Sequence, residues 1–126
     1  MSVLLSINVS FPQSENIDTM LKKITSEKDD NTRIDLINDL FSSTMESDPL
    51  LSMQNAQKLL FQSKKNNDRI AEALALTQIG YSYRSFGNTP KSVEYNLKAL
   101  ALARETGNEK VIAHAKLKLA HNLRSE

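Results

Sequence analysis

The sequence predicts an all-α fold: an α-solenoid of helical hairpins, about two and a half repeats preceded by one extra helix. Three observations carry this expectation. Apolar residues recur every three or four positions along most of the chain, the period of an amphipathic helix. Cap-and-break signals punctuate them at Asp48-Pro49, Gly87-Asn88, Thr89-Pro90 and Gly107-Asn108. The pattern also repeats at a spacing of 40 residues, where Ser52, Leu60, Ser63, Asn67, Ala73, Ile79, Gly80 and Tyr83 are answered by Ser92, Leu100, Ala103, Gly107, Ala113, Leu119, Ala120 and Leu123. Ile37, Leu40 and Phe41 match Leu76, Ile79 and Gly80 at a spacing of 39, so the first hairpin turn is one residue shorter. A unit of this kind cannot bury its apolar face alone and must stack on its neighbour.

Residues 1–13 read as an N-terminal arm, and residues 14–126 as the repeat domain. In the arm, Leu5, Ile7, Val9 and Phe11 alternate with Ser6, Asn8 and Ser10, a strand period. It is read as a frayed end or as an extended segment that docks on its own groove or on a second copy. It lacks the basic region and small-residue cleavage site of a signal peptide. Ser14 is expected to cap a helix over 14–28 with Ile17, Met20, Leu21 and Ile24 on one face. Asn31 or Thr32 then starts a helix over 32–46, carrying Ile34, Ile37, Leu40, Phe41, Thr44 and Met45 on one side. Asp48-Pro49 opens the next, 49–65, which buries Leu51, Ala56, Leu59, Leu60 and Ser63. The central helix, 68–86, carries Ile70, Ala73, Leu76, Ile79, Gly80 and Tyr83. Thr89 is expected to cap the helix over 90–105, with Pro90 at its first position and Val93, Leu97, Ala99, Leu100 and Ala103 buried. Gly107 closes it in the left-handed conformation. Asn108 restarts the last helix, 108–124, through Val111, Ile112, Ala115, Leu119 and Leu123. Its outer face, Leu117, Leu119 and Leu123, has no partner within the chain, so the sequence reads as part of a longer protein or as one that pairs with a second copy.

Composition narrows the chemistry. The 126 residues make one domain, and a formal charge of +1 gives no general reason to expect nucleic acid or an anionic membrane. Residues 1–30 hold three basic against five acidic groups, residues 31–67 balance, and residues 68–126 hold nine basic against six acidic. With no cysteine, disulfides and thiolate chemistry are excluded. No apolar run approaches the roughly 20 residues of a membrane-spanning helix. His114 and His121 lie seven apart on one helix, roughly 10.5 Å of rise, too far to share a metal. The isolated glycines build no phosphate-cradling loop. Glu27, Asp29 and Asp30 precede a helix start, where negative charge suits the helix dipole. No nucleophile, base or metal site stands out, so the chain is expected to be neither an enzyme nor a cofactor carrier.

Leu76, Ile79-Gly80, Tyr83, Gly87-Asn88, Ala99-Leu100 and Leu102 together resemble a tetratricopeptide repeat. Ser92 departs from that pattern, where alanine is usual, as does Asn96, where an aromatic is common. The segment ARETGNEK and the lead-in SENIDTMLKKITSEKDDNTRIDLINDLF are similar to the repeat regions of bacterial signalling proteins of the histidine-kinase or diguanylate-cyclase type. The resemblance implies a cytoplasmic, non-catalytic module that binds a protein or peptide on a concave face lined by the first helix of each unit. The residues it places there are Asp35, Asn38 and Ser42, then Leu74, Thr77, Tyr81 and Arg84, then His114, Leu117, His121 and Arg124. Thr77 and Tyr81 stand where chaperone-binding repeats carry their carboxylate clamp, so a chaperone tail is not the expected ligand. Asp35, Asn38, Thr77, Tyr81, Arg84, His114, His121 and Arg124 are the candidate ligand contacts, with Tyr81 as anchor and an acidic peptide facing Arg84 and Arg124. The alternative is an oligomerisation scaffold that dimerises through its terminal helices.

Overall fold

The computed structural model describes residues 13–42 and 48–124, with side chains from residue 17 onward. Among these residues it is all-α: α1 Gln13–Ser26, α2 Asp30–Ser42, α3 Pro49–Lys65, α4 Arg69–Ser85, α5 Thr89–Thr106 and α6 Glu109–Arg124. Of the expected arm at 1–13, Gln13 belongs to α1 and the rest lies outside the described residues, as do Thr44 and Met45 at the end of the second helix.

The turns repeat with the sequence. Asn67, Gly87 and Gly107 have positive φ, at 58°, 83° and 70°. Each is followed at once by a residue whose side chain caps the next helix. Asp68 accepts from Ala71 N at 3.1 Å, Asn88 from Lys91 N at 3.1 Å and Asn108 from Val111 N at 3.1 Å. Glycine, and asparagine with its short polar side chain, tolerate the left-handed turn that lets the chain reverse at once. Main-chain bonds from Asp68 N to Ser63 O and from Asn88 N to Tyr83 O satisfy the preceding helix ends. At the third turn the Thr106 hydroxyl takes over, donating to Ala103 O at 2.6 Å and accepting from Asn108 N at 3.0 Å.

These caps correct three sequence expectations. Asn88, rather than Thr89, caps α5, because the left-handed Gly87 ends the turn one residue earlier. Asp29, rather than Asn31 or Thr32, caps α2: its carboxylate accepts from the Thr32 amide at 2.9 Å and the Thr32 hydroxyl at 2.8 Å. Those two bonds hold its pKa below the ordinary aspartate value. Ser14 lies inside α1 instead of capping it. Asp48 caps α3 as expected, accepting from Leu51 N at 3.0 Å.

The core is built around α4. This helix packs most extensively on α5, then on α3, and also meets α6 and α2, while α1 packs on α2 and α6 on α5. Everything from Ala73 to Gly80 is buried, along with Ile70, Ala71 and Ser82. A helix surrounded in this way must be slim, and Ala71, Ala73, Ala75, Gly80 and Ser82 make it so.

Gly80 is the point of closest approach to α5. A Cβ there would lie 2.6 Å from Asn96 Nδ2 and 3.1 Å from the Ser92 carbonyl oxygen. That amide is itself pinned, donating to Ser92 O at 2.8 Å. The contact also corrects the expected face of α5. Leu97 is 52% exposed and Val93 half-buried, while Ser92, Asn96, Ala99, Leu100 and Ala103 form the buried stripe. Small and polar residues replace the larger hydrophobes there because only they fit against α4. Tyr83 and Tyr95 close the same interface, stacked with centroids 5.5 Å apart. Leu51 and Leu60, expected in the core, are half-buried at its edge, and Leu123 is exposed.

Buried polar groups tie helices together. Gln78 Nε2 donates to Ser52 Oγ at 2.7 Å, linking α4 to α3, and Asn122 Nδ2 donates to Ser92 Oγ at 2.8 Å, linking α6 to α5. Arg33 is held by Asp68 and Asp30, both at 2.9 Å, and by the Glu27 carbonyl at 3.2 Å. Burial pulls its pKa down, but the two carboxylates outweigh it and raise the value.

Gly80→Leu is expected to lower the melting temperature by several degrees, since overpacking a tight contact costs about 1–3 kcal/mol. Gly80→Ala should lose less, because about 1 kcal/mol of helix propensity offsets the clash. Thermal circular dichroism reads both; an unchanged midpoint for the leucine variant would show that the contact is not tight.

Candidate functional site

α4 packs on both α2 and α6. α2 and α6 flank α4 closely enough for Lys110 Nζ on α6 to reach Asp35 Oδ1 on α2 at 3.0 Å. Both partners are exposed, so the pair contributes little to stability; its value is in showing how near the two helices come.

One turn further along, a slot of about 170 Å³ opens between the three helices, lined by Asn38, Phe41, Ser42, Leu74, Gln78, His114 and Lys118. Phe41 and Leu74 give it apolar lining, Asn38, Gln78 and Ser42 bring two amides and a hydroxyl, His114 an imidazole and Lys118 a cation. No carboxylate lines it among the described residues. Lys118 Nζ lies 5.5 Å from the centroid of the Tyr81 ring, a distance at which the ring face attracts an ammonium. Burial lowers the Lys118 pKa, and burial together with the nearby Lys118 charge lowers that of His114 to about 4. His114 is therefore a neutral imidazole at pH 7, and Lys118 forms no ion pair with a described carboxylate. The slot can accept an anionic group through one cation and neutral hydrogen-bonding side chains. No protein-family model, curated protein or solved structure matches the chain.

The structure brings some of the expected contacts together and separates others. Asn38, Ser42, Leu74 and His114 converge on the slot. Tyr81 is half-buried beside Lys118, and Asp35 is engaged by Lys110. Arg84 is half-buried in the last turn of α4. Thr77 is a correction: it is 2% exposed and its hydroxyl donates back to Ala73 O at 3.1 Å, so it cannot meet a ligand. The enclosure of α4 by its neighbours is the reason. His121 and Arg124 are exposed on the last turns of α6 and do not line the slot. Lys118 and Gln78 escaped the sequence reading. Lys118 follows His114 by four residues and so shares its helix face, a signal the pattern did contain. Among the described residues, no three His, Asp or Glu side chains gather as metal ligands, and no helix is long and apolar enough to cross a membrane.

His114 gives the site a pH signature. Below its ordinary value of 6.5 the unfolded chain takes up a proton that the folded imidazole refuses until about pH 4. Stability should therefore be unaffected by this group above pH 6.5 and fall as pH drops from 6.5 toward 4. Thermal melts across that window should show a shallower decline for His114→Gln than for the wild type; parallel curves would show that His114 titrates normally in the folded protein.

Proposed function

We propose that the chain is a non-catalytic, tetratricopeptide-like module that binds an extended acidic peptide segment on the face shared by α2, α4 and α6. Support for the repeat architecture comes from the turns at 67–68, 87–88 and 107–108. It comes also from the contacts of α4 with both α2 and α6, the pattern that stacked hairpins produce. The sequence likeness to repeat regions of bacterial signalling proteins makes an interaction domain of a larger signalling protein the natural setting.

The observation that carries the ligand class is Lys118: a cation beside an aromatic ring, lining a slot with no acidic group among the described residues and with no described carboxylate paired to it. A ligand carboxylate in the slot would meet Lys118 together with the side chains of Asn38 and Ser42. Tyr81 supplies a rigid surface for the adjoining residues. Arg84 extends the basic character of α4's last turn.

Calorimetric titration with short extended peptides of opposite charge tests this. The wild type should prefer the acidic peptide by about tenfold or more, roughly 1.4 kcal/mol. The double variant Tyr81→Ala, Lys118→Glu should lose that preference while keeping its melting temperature within a few degrees. Equal binding of both peptides by the wild type, or an unchanged preference in the variant, would remove this face from the account. A second reading rests on α6, where Leu117 and Leu123 are 66% and 55% exposed. If light scattering finds a dimer that Leu123→Glu dissolves, and the dimer binds neither peptide, the chain is an oligomerisation scaffold instead.

A further inference from the structure

A second concavity lies away from the α2–α4–α6 slot, between α1 and α3: a groove of about 1050 Å³. The two helices touch through a strut, Gln62 Nε2 of α3 donating to Leu21 O of α1 at 3.1 Å. Beside that strut the helix layer stays open. Phe61 projects into the groove 71% exposed, the most exposed large hydrophobe among the described residues. A helix in a small domain normally turns such a ring inward, and α3 already has its core face in Met53, Ala56 and Leu59. Phe61 therefore serves nothing inside the described fold.

The charge around it has one sign. Lys22, Lys58 and Lys65 line the groove, and no carboxylate does among the described residues. None of the three pairs with a described carboxylate, and Lys65 Nζ instead sits 5.8 Å from the Phe61 ring centroid. Arg33 shows the contrast: a cation with a structural task in this chain is met by two aspartates.

We infer that the α1–α3 groove docks an acidic amphipathic helix of a partner protein. Its apolar stripe packs on Phe61, and its acidic flanks face Lys22, Lys58 and Lys65. The groove's volume is at the upper end of the range for small-molecule pockets, about 300–1000 Å³, and an exposed phenyl ring flanked by lysines matches an amphipathic helix face. Strand addition has no edge to build on, since the described residues form no strand. A gap walled by two helices takes a third, about 10 Å across, by side-chain interdigitation. This site is distinct from the α2–α4–α6 face and shares no lining residue with its slot.

The probe is a fluorescein-labelled synthetic helix of about four turns with leucine on one face and glutamate on the other, titrated by anisotropy against the full chain. Its charge-reversed lysine counterpart is the control. The glutamate helix should bind at least about tenfold more tightly and weaken as salt rises. Phe61→Ala should reduce that affinity about fivefold or more, and Lys58→Glu, Lys65→Glu should reverse the charge preference. These residues are exposed, so all variants should keep the wild-type melting curve. Tyr81→Ala, Lys118→Glu should bind the glutamate helix as the wild type does, which separates this site from the carboxylate slot. Equal affinity for the two helices, or unchanged binding by Phe61→Ala, would overturn the inference. So would displacement of the probe by a peptide of residues 1–12, which would give the groove to the chain's own N-terminal segment. A dimer that Phe61→Glu dissolves would give it to a second copy and overturn it equally.

Discussion

The structure depends on how thin α4 is. A helix with neighbours on four sides can be enclosed only if its own side chains leave room, and alanines, a glycine and a serine occupy its crowded faces. The tightest point is the absent side chain at Gly80, against which Asn96 and the Ser92 carbonyl of α5 close. This approach draws α5 in and sets which stripe of α5 is buried. On the opposite side the same slimness lets α2 and α6 reach each other across α4, as the Asp35–Lys110 contact shows. The slot beside His114 and Lys118 exists because two helices, α2 and α6, converge on the narrow α4.

Helix positions were legible in the sequence because the signals that end helices are local. A left-handed residue followed by a capping side chain recurs at 67–68, 87–88 and 107–108, and its chemistry can be read without knowing what packs where. Faces were less legible. On α5 the choice between Val93–Leu97 and Ser92–Asn96 is settled by steric fit to Gly80, a contact between segments that hydrophobicity does not report. Thr77 was misplaced for the same reason: its helix has almost no outer face left. Phe61 carried a signal, an aromatic off the apolar stripe with a lysine four residues on, but its meaning depends on the gap beside α1.

Charge partners separate structural from functional cations in this molecule. Arg33 joins the start of α2 to the cap of α4 through Asp68, and every contact it makes serves the fold. Lys118, and the lysines along the α1–α3 groove, have no described carboxylate of their own. Burial costs Lys118 part of its solvation without returning an ion pair to a described carboxylate, and an anionic ligand of the proposed kind would supply one. The depressed His114 is a consequence of the same surroundings, since a second positive charge beside Lys118 in a part-buried slot is unfavourable.

The central claim is that the face shared by α2, α4 and α6 receives a carboxylate. It is tested most directly by mapping amide and side-chain chemical shifts during titration of the isotopically labelled protein with an extended acidic peptide. The account predicts saturable shifts at Asn38, Gln78, Tyr81, His114 and Lys118, with the amides of α3 and the outer face of α5 unmoved. Shifts scattered over the surface, or a cluster elsewhere with these five residues unchanged, would contradict it.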